Sequence, residues 1–176
     1  SYLNGAMTTA QAPRAYAAME QALARLDTAT AKETDLIKSL LSRYIEDFAP
    51  ENRRDQDQAY ADVMRNVAAK HPNDLNISTL YGQSLFLLEE RRGYRSLDDP
   101  NVIRLHNVLL GVLEKDVRHP GACHLLVHAT ESTPKPEIAA PCAHYLGNSI
   151  PGASHINHMP SHTWNEMGLW NDAVRS

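Results

Sequence analysis

The sequence predicts an all-α chain, a solenoid of antiparallel helix pairs. Apolar residues recur at spacings of three and four along nearly its whole length. No segment sustains the period-two alternation of a half-buried strand, and the stretches between periodic segments are short enough to make sequential helices antiparallel neighbours. Aromatic residues at 6%, with only two Phe, suit helices packed on Leu and Ala better than a β-sandwich.

Taken in order, residues 13–27 form the first predicted helix, with Tyr16, Met19, Leu23 and Leu26 on one stripe. Thr30 and Glu33 make a capping box for a second helix over 31–48, carrying Leu36, Ile37, Leu40, Leu41, Tyr44, Ile45 and Phe48. Ala49-Pro50 breaks it. A third helix spans 55–70, with Tyr60, Val63, Met64 and Val67 inward, and stops at His71-Pro72. Asp74 caps a fourth over 74–91, which ends before Gly93, with Arg91 and Arg92 as a solvated helix end. Asp99-Pro100, an N-cap followed by proline at the first helical position, starts a fifth over 100–117. Further helices are predicted over 123–132, 136–148 and 160–167.

The C-terminal third carries a repeat register. Ala139 and Ala173 stand 34 residues apart, and Ala139 precedes Pro151 by the twelve-residue step from a small second-helix residue to a closing proline. Gly168-Leu169-Trp170-Asn171-Asp172-Ala173 resembles the turn of a tetratricopeptide repeat into its second helix, where Trp164 and Trp170 fit packing positions. The expected fold is therefore a tetratricopeptide-like α-α superhelix in one segment, 1–176. Residues 1–118 read as irregular helical hairpins and 119–176 as clearer repeats.

Composition narrows the function classes. Net charge is −4 and basic residues are scattered, so no electrostatic footprint for nucleic acid exists. No apolar run reaches the roughly 18 to 20 residues of a transmembrane helix. Gly-rich phosphate loops and Gly-x-Ser-x-Gly elbows are absent. Cys123 and Cys142 have neither the number nor the spacing of a disulfide scaffold or a CxxC zinc site, and read as buried free thiols.

Histidine carries the chemistry. Seven of the nine histidines fall between His119 and His162, and five of them lie in a doubled phrase and its extension. Pro120-Gly121-Ala122-Cys123-His124-Leu125-Leu126-Val127-His128 is followed by Pro151-Gly152-Ala153-Ser154-His155-Ile156-Asn157-His158, and then by Met159-Pro160-Ser161-His162. On a helix, His128 lies about +40° and Glu131 about −20° from His124, while His158 lies about −60° and His162 about −20° from His155. Each set makes one narrow stripe on the first helix of its repeat, the helix that lines a solenoid's concave side. Side chains from two stacked helices then converge. Pro160 either kinks or starts the second helix; in the second case His155 drops into the preceding loop. His106, on the fifth helix, reads as a satisfied buried histidine, His71 and His119 as turn residues, and His144 as packing.

Imidazole and carboxylate in this phase suit a borderline divalent cation. The expected metal set is His124, His128, Glu131, His155, His158 and His162. Zinc is the expected ion, with iron and copper as alternatives. Three functions follow: a scaffold whose groove holds a metal and a protein or peptide ligand, a metal-dependent hydrolase or non-haem oxidoreductase using the same side chains, or a metal-free interaction solenoid with structural histidines.

Several phrases are similar to a poorly characterised family of bacterial tetratricopeptide-repeat proteins: Tyr2-Leu3-Asn4, Glu33-Thr34-Asp35-Leu36-Ile37, Ala59-Tyr60-Ala61-Asp62-Val63-Met64, His71-Pro72-Asn73-Asp74, His119-Pro120-Gly121-Ala122-Cys123-His124 and His158-Met159-Pro160-Ser161-His162. The resemblance covers nearly all of the chain and implies a fragment of a longer protein. Many members have an export signal, which implies a bacterial envelope or periplasmic location. The chain departs from the family at Glu89-Glu90-Arg91-Arg92-Gly93-Tyr94, where members carry an aromatic-rich Pro-Trp phrase.

Overall fold

A computed structural model describes residues 7–89 and 94–176. The phrase Tyr2-Leu3-Asn4, the helix end at Arg91 and Arg92, and the Gly93 stop lie outside the described residues. Among those described, every regular element is helical. The chain divides into two compact units, Ser1–Leu88 and Glu89–Ser176.

In the first unit, α1 (Ala12–Leu23) begins with Pro13 in its first turn and buries Met19. α2 (Ala31–Ser39) opens on the Thr30/Glu33 capping box, with both reciprocal hydrogen bonds formed. It is shorter than the predicted 31–48: a 3-10 turn, Leu40–Ser42, ends it. Ser39 Oγ donates to the Leu36 carbonyl (2.6 Å) and Ser42 Oγ to that of Ser39 (2.7 Å), back-bonds that compete with helix propagation. Arg43, next along, is only 4% exposed and pairs with Asp57 on α3 (Arg53–Lys70). Burial of that charged pair decides where the backbone leaves the helix. Leu41, expected inward, is 48% exposed. α4 (Leu75–Phe86) is capped by Asp74, whose Oδ1 accepts from Ile77 N, and it stops five residues before the predicted end. The core gathers Tyr60, Met64 and Val67 of α3 with Ile77 of α4, and Leu36 and Leu40 pack onto it. Asp35 ties α2 to the end of α3 through Lys70 and His71, each at 3.0 Å.

In the second unit, α5 (Pro100–Leu113) starts at the predicted Asp99-Pro100, where Asp99 Oδ1 accepts from Asn101 N. It ends four residues early, in a turn where His119 N donates to the Asp116 carbonyl. That turn makes His119 the N-cap of α6 (Pro120–Thr130), its Nδ1 accepting from Ala122 N at 3.2 Å. α6 thus begins at Pro120, not at the predicted 123. A 3-10 turn (Pro136–Ala139) leads into α7 (Ala140–Leu146). Two short helices follow, α8 (Ser154–His158) and α9 (Pro160–Glu166), and then α10 (Trp170–Arg175). Gly152 (φ 84°) and Gly168 (φ 72°) supply the left-handed turns before α8 and α10. α6 packs against α5, α7 and α9, so it is the central element of this unit. Its Leu126 and Ala129 join Leu105 and Leu109 of α5, Leu146 of α7 and Met159 in the buried core.

Two expectations are overturned here. Cys123 and Cys142 are disulfide-bonded, with Cα atoms 4.9 Å apart. Their spacing of 19 residues carried no disulfide signal, because the pairing depends on α6 and α7 lying side by side. Trp170, expected to pack as Trp164 does, is 63% exposed, whereas Trp164 is 6% exposed. It stands at the first position of a six-residue helix, where one short turn has little surface to cover it.

Candidate metal centre

The site is assembled by α6, α8 and α9. Leu125, Leu126, Val127 and Ala129 bury one side of α6, which leaves His124, His128 and the C-capping Glu131 along a single polar edge. On the other side, buried Met159, Thr163 and Trp164 anchor α8 and α9 and turn His155, His158 and His162 toward that edge.

Pro160 interrupts the second stripe without removing His155 from it. Met159 keeps right-handed helical angles (φ −53°, ψ −37°), so α8 runs almost directly into α9. Proline offers no N–H to the turn before it, and the surrounding bonds tighten to i→i−3: Met159 N to Ile156 O and His162 N to Met159 O, both 3.2 Å. The helix is kinked, and His155 belongs to it.

Two triads of potential ligand atoms result, each with its atoms within 4.8 Å of one another. His124, His128 and His155 form one; His128, Glu131 and His162 form the other. Nε2 of His124 lies 3.0 Å from Nε2 of His155. Glu131 bridges two rings, with Oε1 3.2 Å from His128 Nδ1 and Oε2 2.7 Å from His162 Nδ1. His128 is buried and shared by both triads, while His155 and His158 are exposed at the rim. His158 stands outside both triads: its ring tilts against His155 (5.2 Å) and His162 (4.9 Å), and Nδ1 lies 3.5 Å from Ser161 Oγ.

The electrostatics follow from crowding. Burial, then the neighbouring imidazoles, push His124 down to about 4. The same causes lower His155 and His158. Burial acts to raise Glu131, but hydrogen bonds and charge from His128 and His162 outweigh it and bring the carboxyl to about 2. His162 is raised, chiefly by its hydrogen bond to Glu131. Near neutral pH the cluster thus offers the ionised Glu131 carboxylate together with neutral His124, His155 and His158, the protonation state a cation needs, while His162 holds its proton more tightly.

One neighbour carried no signal in the sequence. Arg95, 8% exposed, donates from Nη2 to the His128 carbonyl (2.7 Å), and its backbone N–H donates to the Ser132 carbonyl (2.7 Å). It clamps the end of α6 that presents Glu131. A single Arg in a polar loop reads as a surface residue. The other histidines are accounted for locally: His106 Nε2 pairs with the Ala129 carbonyl (3.2 Å), His71 Nε2 with Asp35 (3.0 Å), and the His144 ring packs on Trp164 at 4.7 Å.

Beside Glu131 and His162 opens a cleft of about 460 Å³, also lined by Ser132, Ser161, Asn165 and Glu166. Among the described residues, no helix is long and apolar enough to cross a membrane. No protein-family model matches the chain, and no curated protein or solved structure is significantly similar to it.

Proposed function

We propose that this is a tetratricopeptide-like helical scaffold whose His/Glu cluster binds a divalent transition metal together with a partner or ligand. The observation that carries the reading is the pair of triads sharing His128. Ligand atoms of a tetrahedral zinc site, at 2.0–2.1 Å from the ion, stand roughly 3.3 Å from one another. The separations of 3.0 Å (His124–His155), 3.2 Å (His128–Glu131) and 2.7 Å (Glu131–His162) are close to that spacing before any ion pulls the side chains together. A nitrogen-rich set with one carboxylate and no free thiol matches zinc best, with iron and copper next. Sequential packing of α3 on α4, α5 on α6, α6 on α7 and α9 on α10 is compatible with stacked helical hairpins. The Cys123–Cys142 disulfide suits an oxidising compartment and thereby supports an envelope location.

Elemental analysis of untagged protein purified without chelator tests the metal. One ion per chain, and a melting midpoint that chelator lowers in the wild type but not in a His128→Ala/His162→Ala variant, is the expected result. No stoichiometric metal and no chelator effect would leave a metal-free interaction solenoid whose histidines are structural.

A second reading, a metal-dependent enzyme, is favoured by the cleft at Glu131 and His162. A divalent cation with an open position toward that cleft supplies Lewis-acid chemistry. With the ion on His124, His128 and His155, Glu131 and His162 would be left to hold and move a proton at its edge, while Ser132, Ser161 and Asn165 offer hydrogen bonds to a polar substrate. X-ray absorption separates the two readings, since a closed shell of four protein ligands removes the enzymatic one.

A further inference from the structure

The first unit holds a second concavity with a different chemistry. A cleft of about 460 Å³, within the size range of small-molecule sites, lies among α1, the turn after α2 and the start of α3. Its lining combines apolar Met7, Met19 and Leu40 with the three guanidiniums of Arg14, Arg43 and Arg53.

Among the described residues one carboxylate, Asp57, pairs with two of these guanidiniums, with Oδ1 3.2 Å from Arg43 Nε and 3.0 Å from Arg53 Nη2, while Arg53 Nη1 also donates to the Arg43 carbonyl at 3.3 Å. Arg43 is 4% exposed, yet its Nε lacks the alignment for a hydrogen bond. Its further contacts are cationic ones to the rings of Tyr44 (5.6 Å) and Tyr60 (5.4 Å). Arg14 is exposed on α1 and pairs with no carboxylate among the described residues. Two guanidiniums thus share one carboxylate, and the third, Arg14, lines the same cleft without an ion pair among the described residues. The buried Arg43 charge is costly unless well shared, and a further anion in the cleft would share it.

We propose that this cleft binds a monocarboxylate bearing an aliphatic chain. The planar, forked guanidinium matches a carboxylate in geometry as well as charge. The methionine and leucine side chains of the same lining offer the tail a surface that a bare inorganic anion would leave unused.

Isothermal titration calorimetry on the full chain tests it, with decanoate below its micellar range, decanol and inorganic phosphate as probes. Decanoate should bind saturably at one per chain, with decanol and phosphate each at least about tenfold weaker, the scale of one charge-assisted contact. Arg14→Gln should weaken decanoate by about tenfold. Ala18→Phe, at an exposed position lining the cleft, should abolish binding while leaving the circular dichroism spectrum unchanged. The proposal is overturned if decanoate does not saturate, if decanol or phosphate binds as tightly, or if Arg14→Gln has no effect.

Discussion

The Nε2 atoms of His124 and His155 face each other at 3.0 Å across two helices whose sequences lie 31 residues apart. With His124 held down to about 4, neither ring carries a proton charge near neutrality. The pair then either shares one N–H or directs both lone pairs at a common cation. Replacing either ring by Ala should weaken zinc binding by at least about 100-fold, since losing even a hydrogen-bond partner of a ligand costs about 10–100-fold. The double variant should lose little more than either single one, because the two act on one ion. Competition against a chromogenic chelator measures both.

Proton competition should be set by His162. Its raised value means the apoprotein begins to protonate there above 6.5, so metal affinity should start to fall above that pH, and binding should release a proton near neutrality. Calorimetric titrations in buffers of different ionisation enthalpy count the proton. Glu131→Gln should remove this release and weaken binding by about tenfold.

Without metal, acid should destabilise the chain early. His124, lowered from 6.5 to about 4, contributes stability fully present above 6.5 and lost as pH falls toward 4. Glu131, lowered from 4.5 to about 2, extends the loss below 4.5. His162 acts oppositely: its contribution is present below 6.5 and is lost as pH rises through its raised value. The melting midpoint of the apoprotein should therefore drop between pH 6.5 and 4, and His124→Gln should flatten that drop. Circular dichroism melts across the range decide it.

Reduction should loosen the second unit. Closing a loop of 19 residues stabilises by about 3 kcal/mol through the unfolded state. Urea unfolding with and without dithiothreitol should show that difference, and a Cys123→Ala/Cys142→Ala variant should match the reduced protein and ignore the reductant.

Asp57→Asn should cost about 3–5 kcal/mol in the first unit, the range for breaking a buried ion pair from one side. The carboxylate removed is the one that pairs with both Arg43 and Arg53 among the described residues. Chemical denaturation followed by helical signal measures it.

Where periodicity and capping act locally, the sequence was readable. Tyr60, Met64 and Val67 mark the buried face of α3, Asp99-Pro100 marks the start of α5, and the phase of His124, His128 and Glu131 marks one edge of α6. What depended on distant partners was not. The end of α2 is set by a buried Arg43 that meets Asp57 fourteen residues later. The disulfide needs α6 against α7, and Arg95 reaches a carbonyl 33 residues away. α8 hid because Pro151-Gly152 and Pro160 bracket it so tightly that five residues are too few for the period to repeat.

The break at Met159 has a consequence for selectivity. α8 and α9, of five and seven residues, are each too short to hold themselves helical and owe their order to packing. The joint at Met159 lacks the backbone bond that Pro160 cannot give, so His155 can shift relative to His162 at little cost. A cluster with a joint inside one of its walls fits its occupant by adjustment. It should accept ions of different radius almost equally and sort them by their preference for nitrogen over oxygen.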